Sequence, residues 1–537
     1  MGHTVFIEDA AETKNLIRYN LVILTQASHS LLNTDSTPAC FWITHPDNIF
    51  IGNHAAGSER YGFWFDLQDS AMGPSFDPNI CPTRSKLGEF RDNVAHSVGR
   101  YGLRIFHGLD AHEKPCSGNS FDETKWRNGE DPYTGNPPIT AIFENFLGYK
   151  NGRNGVIGED VGAAIFRNIK AADNKLAGFE MNKVVSVRDN MQWLEDSVMV
   201  GRTPGFAESL GSPHGVITPQ TDGWKAKNVR FYNYDFNSAA ALGSCSHCFK
   251  EPATDSDSRH VDFEELMFDD ATVPRRIRYQ FPFKGIYHDL DGTLTGLGPN
   301  TWATSYWKHN EQPECQVDMD VYDGILCDDT VQVRRVVMYN ASPGSINSRD
   351  LYITSYEDED IEPLTEDEYS TYMADETNYS IVPMRKKKNP SNHWTVPFVT
   401  GHKYYLRWEY GLDFEFMTFE RTNWLWGEDD GNIFFTMPHY DVREAVYFDD
   451  NTGRRHNNNS IGTEDNVQNL EMGDNLVLND TETRLIHMVI NGRTYETKSL
   501  GLTGVRCISD CNPAIEDVEI ELEERLWSNL SHWDGRE

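Results

Sequence analysis

Ile142-Phe143-Glu144-Asn145 and Ile165-Phe166-Arg167-Asn168 are near copies of each other that start 23 residues apart. A step of this size is about one turn of a parallel β-solenoid, in which each coil packs only on its neighbours. Helical repeats are longer and carry an apolar period of about 3.6 residues, which this chain lacks. The pair therefore predicts a stack of β-coils.

An asparagine followed nine or ten residues later by a glycine recurs through the first half of the chain. After a looser copy at residues 16–20, the pairs are Asn53 with Gly62, Asn93 with Gly102, Asn145 with Gly155, Asn168 with Gly178 and Asn233 with Gly243. Asparagines at equivalent places on stacked coils can form hydrogen-bonded ladders, and a glycine at each corner permits a positive φ. We therefore predict an all-β chain in which residues 1–300 form a parallel β-helix.

The 23-residue step ends near residue 300. Residues 301–510 still contain strand patterns, for example at 331–339, 404–408 and 483–490, but nothing repeats. We expect a compact β-sandwich-like domain there. Long insertions at 70–86 and 108–138 interrupt the repeat, and insertions in solenoids collect on one side, often the binding side. Residues 511–537 are expected to begin a further domain that the chain does not complete.

The chain carries 83 acidic and 48 basic residues, for a net charge of −35. Nucleic-acid binding is disfavoured because contacts to that backbone need clustered Lys and Arg. The same argument applies to other polyanions unless one groove is locally basic. No apolar run approaches the roughly 18 residues of a membrane-spanning helix. The composition is that of a soluble protein, with the acidic excess serving solubility or a calcium-containing medium.

Nine cysteines fall mostly in close pairs, which predicts disulfides in an oxidising compartment. The pairs are Cys81 with Cys116, Cys245 with Cys248, Cys315 with Cys327, and Cys507 with Cys511, leaving Cys40. Zinc is an alternative for Cys245 and Cys248 with His247, although a structural zinc site needs four ligands. Five Asn-x-Ser/Thr sequons predict glycosylated surface loops of a secreted protein, at Asn340, Asn378, Asn458, Asn479 and Asn529.

Aligning the glycines brings several polar residues that follow them into one region. They are His3, Glu8, Asp9, Asp66, Arg104, His107, Glu159, Asp160 and Glu180. Carboxylates this close need a cation or a basic neighbour, so Glu8 and Asp9 are candidate Ca²⁺ ligands. A carboxylate pair can also act as acid and base in the cleavage of a sugar chain. The alternative to both roles is that these carboxylates are exposed residues at strand ends without a function. Asp66, Arg104, His107 and Trp64 are the candidate ligand groove.

Aromatic residues near the same edge, Trp42, Trp64 and Tyr101, are able to stack on sugar rings or to belong to the core. Asp289-Leu290-Asp291-Gly292-Thr293 matches the signature of haloacid-dehalogenase-like phosphatases, in which the first Asp is a nucleophile and Mg²⁺ assists. That signature opens an α/β domain, and few helical periods follow it here. A turn at the end of the solenoid, with Asp289 and Asp291 as candidate calcium ligands, is the competing interpretation.

Several of these stretches together resemble the family that includes fibrocystin-L and the cell-surface hyaluronidases. They are residues 2–9, 41–46, 73–82, 87–93 and the Asp289-Leu290-Asp291-Gly292 turn. The resemblance implies the C-terminal part of a right-handed parallel β-helix from a large secreted or membrane-anchored surface protein. Residues 526–533 resemble the start of a second glycine-rich domain of fibrocystin-L, so both ends are expected to be cuts. His3, Glu8 and Asp9 match the family's strand.

These observations favour a non-enzymatic extracellular module of a surface glycoprotein that binds a glycan or a protein partner. Two relatives in the family degrade hyaluronan, whereas fibrocystin-L is regarded as a coat and adhesion protein. The alternative is therefore a calcium-dependent hyaluronan depolymerase, with His3, Glu8 and Asp9 as candidate catalytic residues. The third hypothesis is a magnesium-dependent phosphatase at Asp289 and Asp291. Beyond Ca²⁺ no cofactor is expected.

Overall fold

The computed structural model divides into two units, Met1–Arg335 and Val336–Glu537. The described residues are 2–28, 36–106, 108–117, 125, 131–182, 184, 192–205, 214–219, 223–236, 238–244, 260–279, 285–342, 346, 348–356, 379–384, 393–408, 416–422, 431–438, 444–449, 454–456, 477–480, 485–490 and 496–503. Their regular elements are strands and three short 3₁₀ helices, Gly73–Ser75, Pro82–Arg84 and Lys308–Asn310. The predicted all-β class is therefore confirmed.

The strands up to the end of the stacked coils are short, as expected where Gly, Asn and Asp turn the chain every few residues. In chain order they are β1 Val5–Ile7, β2 Leu16–Arg18, β3 Leu21–Ile23, β4 Ala39–Ile43, β5 Ile49–Ile51, β6 His54–Ala56, β7 Tyr61–Asp66, β8 Glu89–Arg91, β9 Val94–His96, β10 Tyr101–Phe106, β11 Ala141–Glu144, β12 Leu147–Tyr149, β13 Asn154–Gly158, β14 Ala164–Arg167, β15 Lys170–Ala172, β16 Ala177–Met181, β17 Gln192–Val200, β18 His214–Thr218, β19 Trp224–Tyr232, β20 Ala240–Ser244, β21 His260–Glu264, β22 Met267–Phe268, β23 Ile277–Arg278 and β24 Ile286–Asp289.

Each coil contributes strands to three faces. Face 1 is the sheet β1-β4-β7-β10-β13-β16-β18-β20-β23, and all of its pairings are parallel. Faces 2 and 3 lie in one larger sheet, face 2 running through β2, β5, β8, β11 and β14, and face 3 through β3, β6, β9, β12 and β15. The predicted step is confirmed, because Ile142 pairs with Ile165 in parallel register.

The recurring asparagines occupy three different positions on the coils. Asn53 and Asn93 are fully buried and hydrogen-bond across the coil boundary, with Asn20 extending the same ladder. Asn145 and Asn168 lie one position earlier in the coil, at the corner between faces 2 and 3, where φ is 53° and 50°. The corner column also contains Gly52, Asp92, Asp196, Asn228 and Glu265, all with positive φ. Asn233 belongs to the corner after face 3.

The aligned glycines serve close packing rather than positive φ, so the corner explanation given for them above is wrong. Gly62, Gly102, Gly155 and Gly178 lie at equivalent places in face 1. A Cβ on Gly102 would stand 2.6 Å from the carbonyl oxygen of Gly155, and a Cβ on Gly62 would stand 2.7 Å from the Cβ of Ala95 on face 3. Gly243 is out of this register and pairs with Ile217.

The core runs along the inside of the coils as stacked apolar columns. On face 1, Phe41 stacks on Phe63 with ring centroids 4.5 Å apart. On face 2, Phe143 stacks on Phe166 at 5.0 Å. These rings are fully buried and belong to one continuous apolar cluster. Each coil therefore buries its apolar side chains against the next coil, as the repeat predicts.

Two insertions leave the coils on the same side and are joined covalently. Cys81, beside the second 3₁₀ helix, forms a disulfide with Cys116, as the spacing predicted. The backbone of Asp110 also donates to the carbonyl of Thr83. Cys40 is free and buried. The predicted pairs Cys245 with Cys248 and Cys507 with Cys511 lie outside the described residues, as does His247.

The parallel stacking ends at β24. The next three strands pair antiparallel with one another: β25 Thr301–Ser305 with β24, β27 Gly324–Cys327 with β25, and β26 Cys315–Asp318 with β27. Cys315 forms a disulfide with Cys327. The first compact unit thus extends to Arg335, beyond the boundary expected at residue 300.

The described residues of the second unit form two six-stranded sheets. Its strands are β28 Val333–Ser342, β29 Leu351–Tyr356, β30 Ser380–Val382, β31 His393–Val399, β32 Lys403–Trp408, β33 Phe416–Thr422, β34 Ile433–Pro438, β35 Glu444–Asp449, β36 Arg454–His456, β37 Val477–Asp480, β38 Leu485–Ile490 and β39 Glu496–Thr503. Side chains of the two sheets pack against each other: the ring centroids of Trp394 and Trp408 are 5.9 Å apart, and those of Phe419 and Phe435 are 6.1 Å apart. This is the sandwich expected from the sequence.

Candidate functional site

The outer side of face 1 carries an aromatic cluster at its N-terminal coils. Trp42, Tyr61, Trp64 and Tyr101 are each less than a tenth exposed and pack with Ile157. Tyr61 stacks on Tyr101 at 5.8 Å, and Trp64 lies 4.8 Å from Tyr61. Since these rings pack against one another, the core interpretation of Trp42, Trp64 and Tyr101 holds.

Arg104 is the cationic centre of this cluster. Its guanidinium lies 4.1 Å from the centre of the Phe106 ring and within 6 Å of three other aromatic rings. It donates to the Tyr61 hydroxyl at 2.9 Å and to Glu159 at 2.8 Å. Burial tends to lower the pKa of Arg104, but Glu159 outweighs this and raises it. Arg104 therefore remains charged and holds the cluster together.

The carboxylates expected to gather on this face are instead held by separate donors. Asp66 accepts a hydrogen bond from the indole of Trp42 at 3.0 Å. Glu180, fully buried, accepts from the amide of Asn154, and Glu159 is paired with Arg104. Each of these carboxylates therefore has its own hydrogen-bond donor or cationic partner, and the three do not form one cluster.

His3, Glu8 and Asp9 lie along and just after β1. The His3 ring stacks on Trp42 at 4.4 Å, and its Nδ1 accepts from the backbone of Ala39. Glu8 is exposed. Asp9 accepts from the Ser75 hydroxyl at 2.9 Å, which ties the end of the strand to the 70–86 insertion. His107, the remaining groove candidate, lies outside the described residues.

The turn after β24 uses the oxygens of Asp289 and Asp291 internally. Asp289 accepts from the backbone and hydroxyl of Thr295 at 2.7 and 2.9 Å. Asp291 accepts from the Thr293 hydroxyl and from the backbone of Glu265 in the preceding coil, both at 2.7 Å. The surroundings are all-β, so the α/β frame that the phosphatase signature requires is not present among the described residues.

A column of arginines lies beside the aromatic cluster and was missed in the sequence. Arg60, Arg100 and Arg153 occupy the same place on three consecutive coils, joined by backbone hydrogen bonds of 2.8 Å from Arg100 to Arg60 and from Arg153 to Arg100. All three are partly exposed. We call them the arginine column. In the sequence each of these arginines lies two residues before an aligned glycine, in Arg60-Tyr61-Gly62, Arg100-Tyr101-Gly102 and Arg153-Asn154-Gly155.

The arginine column is not neutralised within the described part of the chain. No acidic side chain there forms an ion pair with Arg60 or Arg100, while Arg153 donates to the Tyr101 hydroxyl at 3.2 Å. The adjacent Glu59 is exposed, and its carboxylate accepts from the backbone of Ala27. Exposed Lys175, on the next coil, extends the positive charge. The column is a locally basic strip, the exception that the sequence argument from the net charge of −35 had left open.

Comparison with known proteins agrees with the fold. A family model described as CEMIP beta-helix matches residues 1–103. Fibrocystin-L from Mus musculus is 28% identical over 402 residues, which is 72% of this chain and 8% of that protein. This chain is similar to fibrocystin-L.

Two proteins with hyaluronan in their names are also similar. Cell surface hyaluronidase CEMIP2 from Homo sapiens is 31% identical over 41% of this chain and 18% of that protein. Cell migration-inducing and hyaluronan-binding protein from Mus musculus is 23% identical over 64% of this chain and 30% of that protein. The chain thus spans less than a third of the length of each of these three relatives. Within its described part, no helix has the length and apolar character needed to cross a bilayer.

The sequons stay predictions. Asn340 and Asn479 lie in strands β28 and β37, whose side chains at these positions are not described. Asn378, Asn458 and Asn529 lie outside the described residues.

Proposed function

We propose that this chain is an extracellular β-helix module that binds an anionic glycan of the hyaluronan class along the arginine column without cleaving it. The observation that carries the proposal is the alignment of Arg60, Arg100 and Arg153 on consecutive coils, with Arg60 and Arg100 lacking acidic partners among the described residues. A repeating anionic polymer presents charge at regular intervals, and a solenoid presents side chains in the same way.

The dimensions suit an extended ligand. Coils stack at about 4.8 Å, so the column spans roughly 10 Å from Arg60 to Arg153. Guanidinium groups pair with carboxylates through two parallel hydrogen bonds, which gives Arg an advantage over Lys for this recognition. The names of two relatives, a hyaluronidase and a hyaluronan-binding protein, support the same ligand class.

An extracellular setting is supported by separate observations. The Cys81–Cys116 and Cys315–Cys327 disulfides are typical of oxidising compartments. One relative, cell surface hyaluronidase CEMIP2, is named as a cell-surface protein. Five sequons and the acidic surface also fit a secreted glycoprotein.

The direct test measures binding and polymer length together. The whole chain is titrated with hyaluronan oligosaccharides and with neutral dextran at low and high salt, with and without Ca²⁺. We expect binding to hyaluronan that weakens with salt, no binding to dextran, and an unchanged polymer length by light scattering. An absence of hyaluronan binding at low salt contradicts the proposal and favours a protein partner.

The depolymerase alternative makes the opposite prediction about polymer length. Shortening of hyaluronan that requires Ca²⁺ and is abolished by Glu8→Gln with Asp9→Asn would establish that alternative. Glu89→Gln is a suitable control, because Glu89 pairs with Arg91 at 2.5 Å on face 2, away from β1.

A further inference from the structure

Three potential metal ligands converge on the outer side of face 2, at the last parallel coils. The Nε2 atom of His260 lies 2.8 Å from Oδ1 of Asp262, and Nδ1 of His288 lies 3.2 Å from the same oxygen. The ligand atoms of the three residues all lie within 4.8 Å of one another. We call them the His–Asp–His cluster. Among the described residues it is the one group of three or more such side chains at metal-binding distances.

The register of the coils brings these residues together. β21 and β24 pair in parallel, with Asp262 opposite His288, and His260 lies two residues before Asp262 on the same side of β21. The alternating residues Val261, Phe263 and Tyr287 point into the core and are fully buried. The cluster therefore faces outward, and its side chains are 12%, 19% and 10% exposed for His260, Asp262 and His288.

The imidazole rings are held in place by a tryptophan. His288 stacks on Trp302 at 4.1 Å with 6° between the ring planes, and His260 lies 5.3 Å from the same ring. Trp302 is almost fully buried and comes from β25, which pairs with β24 so that His288 faces Trp302. Fixed ligand orientation lowers the cost of assembling a metal site.

The charges near the cluster are mixed. Burial lowers the pKa of His288, while the hydrogen bond to Asp262 acts in the opposite direction. Burial alone would raise the pKa of Asp262, but the neighbouring histidines outweigh it and hold the pKa well below its usual range. Lys225, opposite Asp262 on β19, is paired with Glu264 at 2.5 Å. Arg334 stacks over Trp302 at 4.6 Å and adds a nearby positive charge.

We infer that the His–Asp–His cluster is a binding site for a divalent transition metal of the zinc class, with one coordination position open to solvent. Two imidazoles and one carboxylate suit zinc and related ions, whereas Ca²⁺ and Mg²⁺ prefer oxygen ligands alone. Ligands about 2.1 Å from a tetrahedral ion lie roughly 3.4 Å from one another, close to the separations observed here. Three protein ligands leave a fourth position for water or another ligand.

The test uses the full chain after treatment with a chelator. Zinc, calcium and magnesium are titrated separately by calorimetry, and melting temperature is followed in parallel. We expect one zinc ion per chain at this site, at least about tenfold tighter binding of zinc than of calcium or magnesium, and a zinc-dependent rise in melting temperature.

Variants separate this site from the other zinc candidate. Asp262→Asn and His260→Gln should each weaken zinc binding at least about tenfold. Glu265→Gln, at an exposed position directly after the same strand, should leave it unchanged. Cys245→Ser with Cys248→Ser removes the cysteine motif and should also leave this site intact. Zinc binding that survives Asp262→Asn, or that disappears with the cysteines alone, overturns the inference.

A direct structural readout avoids dependence on variant folding. Anomalous scattering from wild-type crystals grown with zinc should place a peak between His260, Asp262 and His288. Crystals without such a peak would show that the three side chains form only a hydrogen-bonded network. The cluster lies on face 2 and the arginine column borders face 1, so either proposal can fail while the other stands.

Discussion

The side-chain amide of Asn53 donates to the side-chain oxygen of Asn93 across one coil boundary, at 3.2 Å. The backbone N–H of Asn53 donates to the same oxygen at 2.9 Å, and Asn93 in turn donates to the carbonyl of Phe50. Both asparagines are fully buried. The ladder therefore satisfies backbone groups at a corner where the coil itself provides no partner.

Removing one member of this ladder should be costly. Asn93→Ala removes the acceptor of the Asn53 backbone N–H, one of the two acceptors of the Asn53 side-chain amide and the donor to the Phe50 carbonyl. We therefore expect a loss of about 2 kcal/mol or more in the free energy of unfolding. Denaturant unfolding of the whole chain measures it. Asn168→Gly is the matched control, because its φ of 50° suits glycine and its amide is only partly buried. A cost for Asn168→Gly as large as that for Asn93→Ala would contradict the assignment of different roles.

Arg104 should contribute to stability rather than to glycan binding. Arg104→Gln leaves the Glu159 carboxylate, 15% exposed, without its cation, and we expect a loss of about 3 kcal/mol. Thermal unfolding tests this prediction. Arg91→Gln is the control, since the Arg91 guanidinium is exposed at the surface and its loss should not change stability measurably. Equal effects of the two substitutions would show that the aromatic cluster does not depend on Arg104.

His214 should make stability depend on pH. Burial lowers the pKa of His214 to about 4, with Arg278 acting in the same direction, while the unfolded value is near 6.5. Above pH 6.5 the ring is neutral in both states, and its contribution to stability is fully present. As pH falls from 6.5 towards 4 the unfolded state takes up a proton that the folded state does not, so up to about 3 kcal/mol is lost.

The variant His214→Gln should remove this part of the pH dependence. Unfolding free energies of both proteins at pH 7.5 and pH 5 give the comparison, and the wild type should lose more on acidification than the variant. Gly243 leaves the space for the ring, since a Cβ there would stand 2.4 Å from His214. Identical slopes in the two proteins would mean that His214 is not held neutral.

The sequence predicted the coils because stacking imposes a period that side chains must follow. Asn145 and Asn168 reveal it through a step of 23 residues. Asn53 and Asn93 are separated by 40, because the 70–86 insertion lies between them. The sequence already separates the two kinds of asparagine, because the buried ones precede the glycine by nine residues and the corner ones by ten. Only the strand register shows that the two spacings correspond to different columns.

The candidate site was less predictable. Offsets counted after each glycine placed Glu8, Asp66 and Glu180 together, yet partners from neighbouring coils hold Asp66 and Glu180 separately. The arginine column precedes the glycines at a constant offset and was visible in the sequence. The His–Asp–His cluster was not, because Asp262 and His288 meet only through the pairing of β21 with β24.

The central claim is tested most directly by the affinity of the whole chain for hyaluronan oligosaccharides after Arg60→Gln with Arg100→Gln. The control pairs Arg18→Gln with Arg230→Gln, two exposed arginines outside the column that remove the same charge. We expect the column variant to weaken binding by at least about tenfold, or ~1.4 kcal/mol, and the control to change it by much less. Equal affinities of the two variants, or unchanged binding by the column variant, would contradict the account.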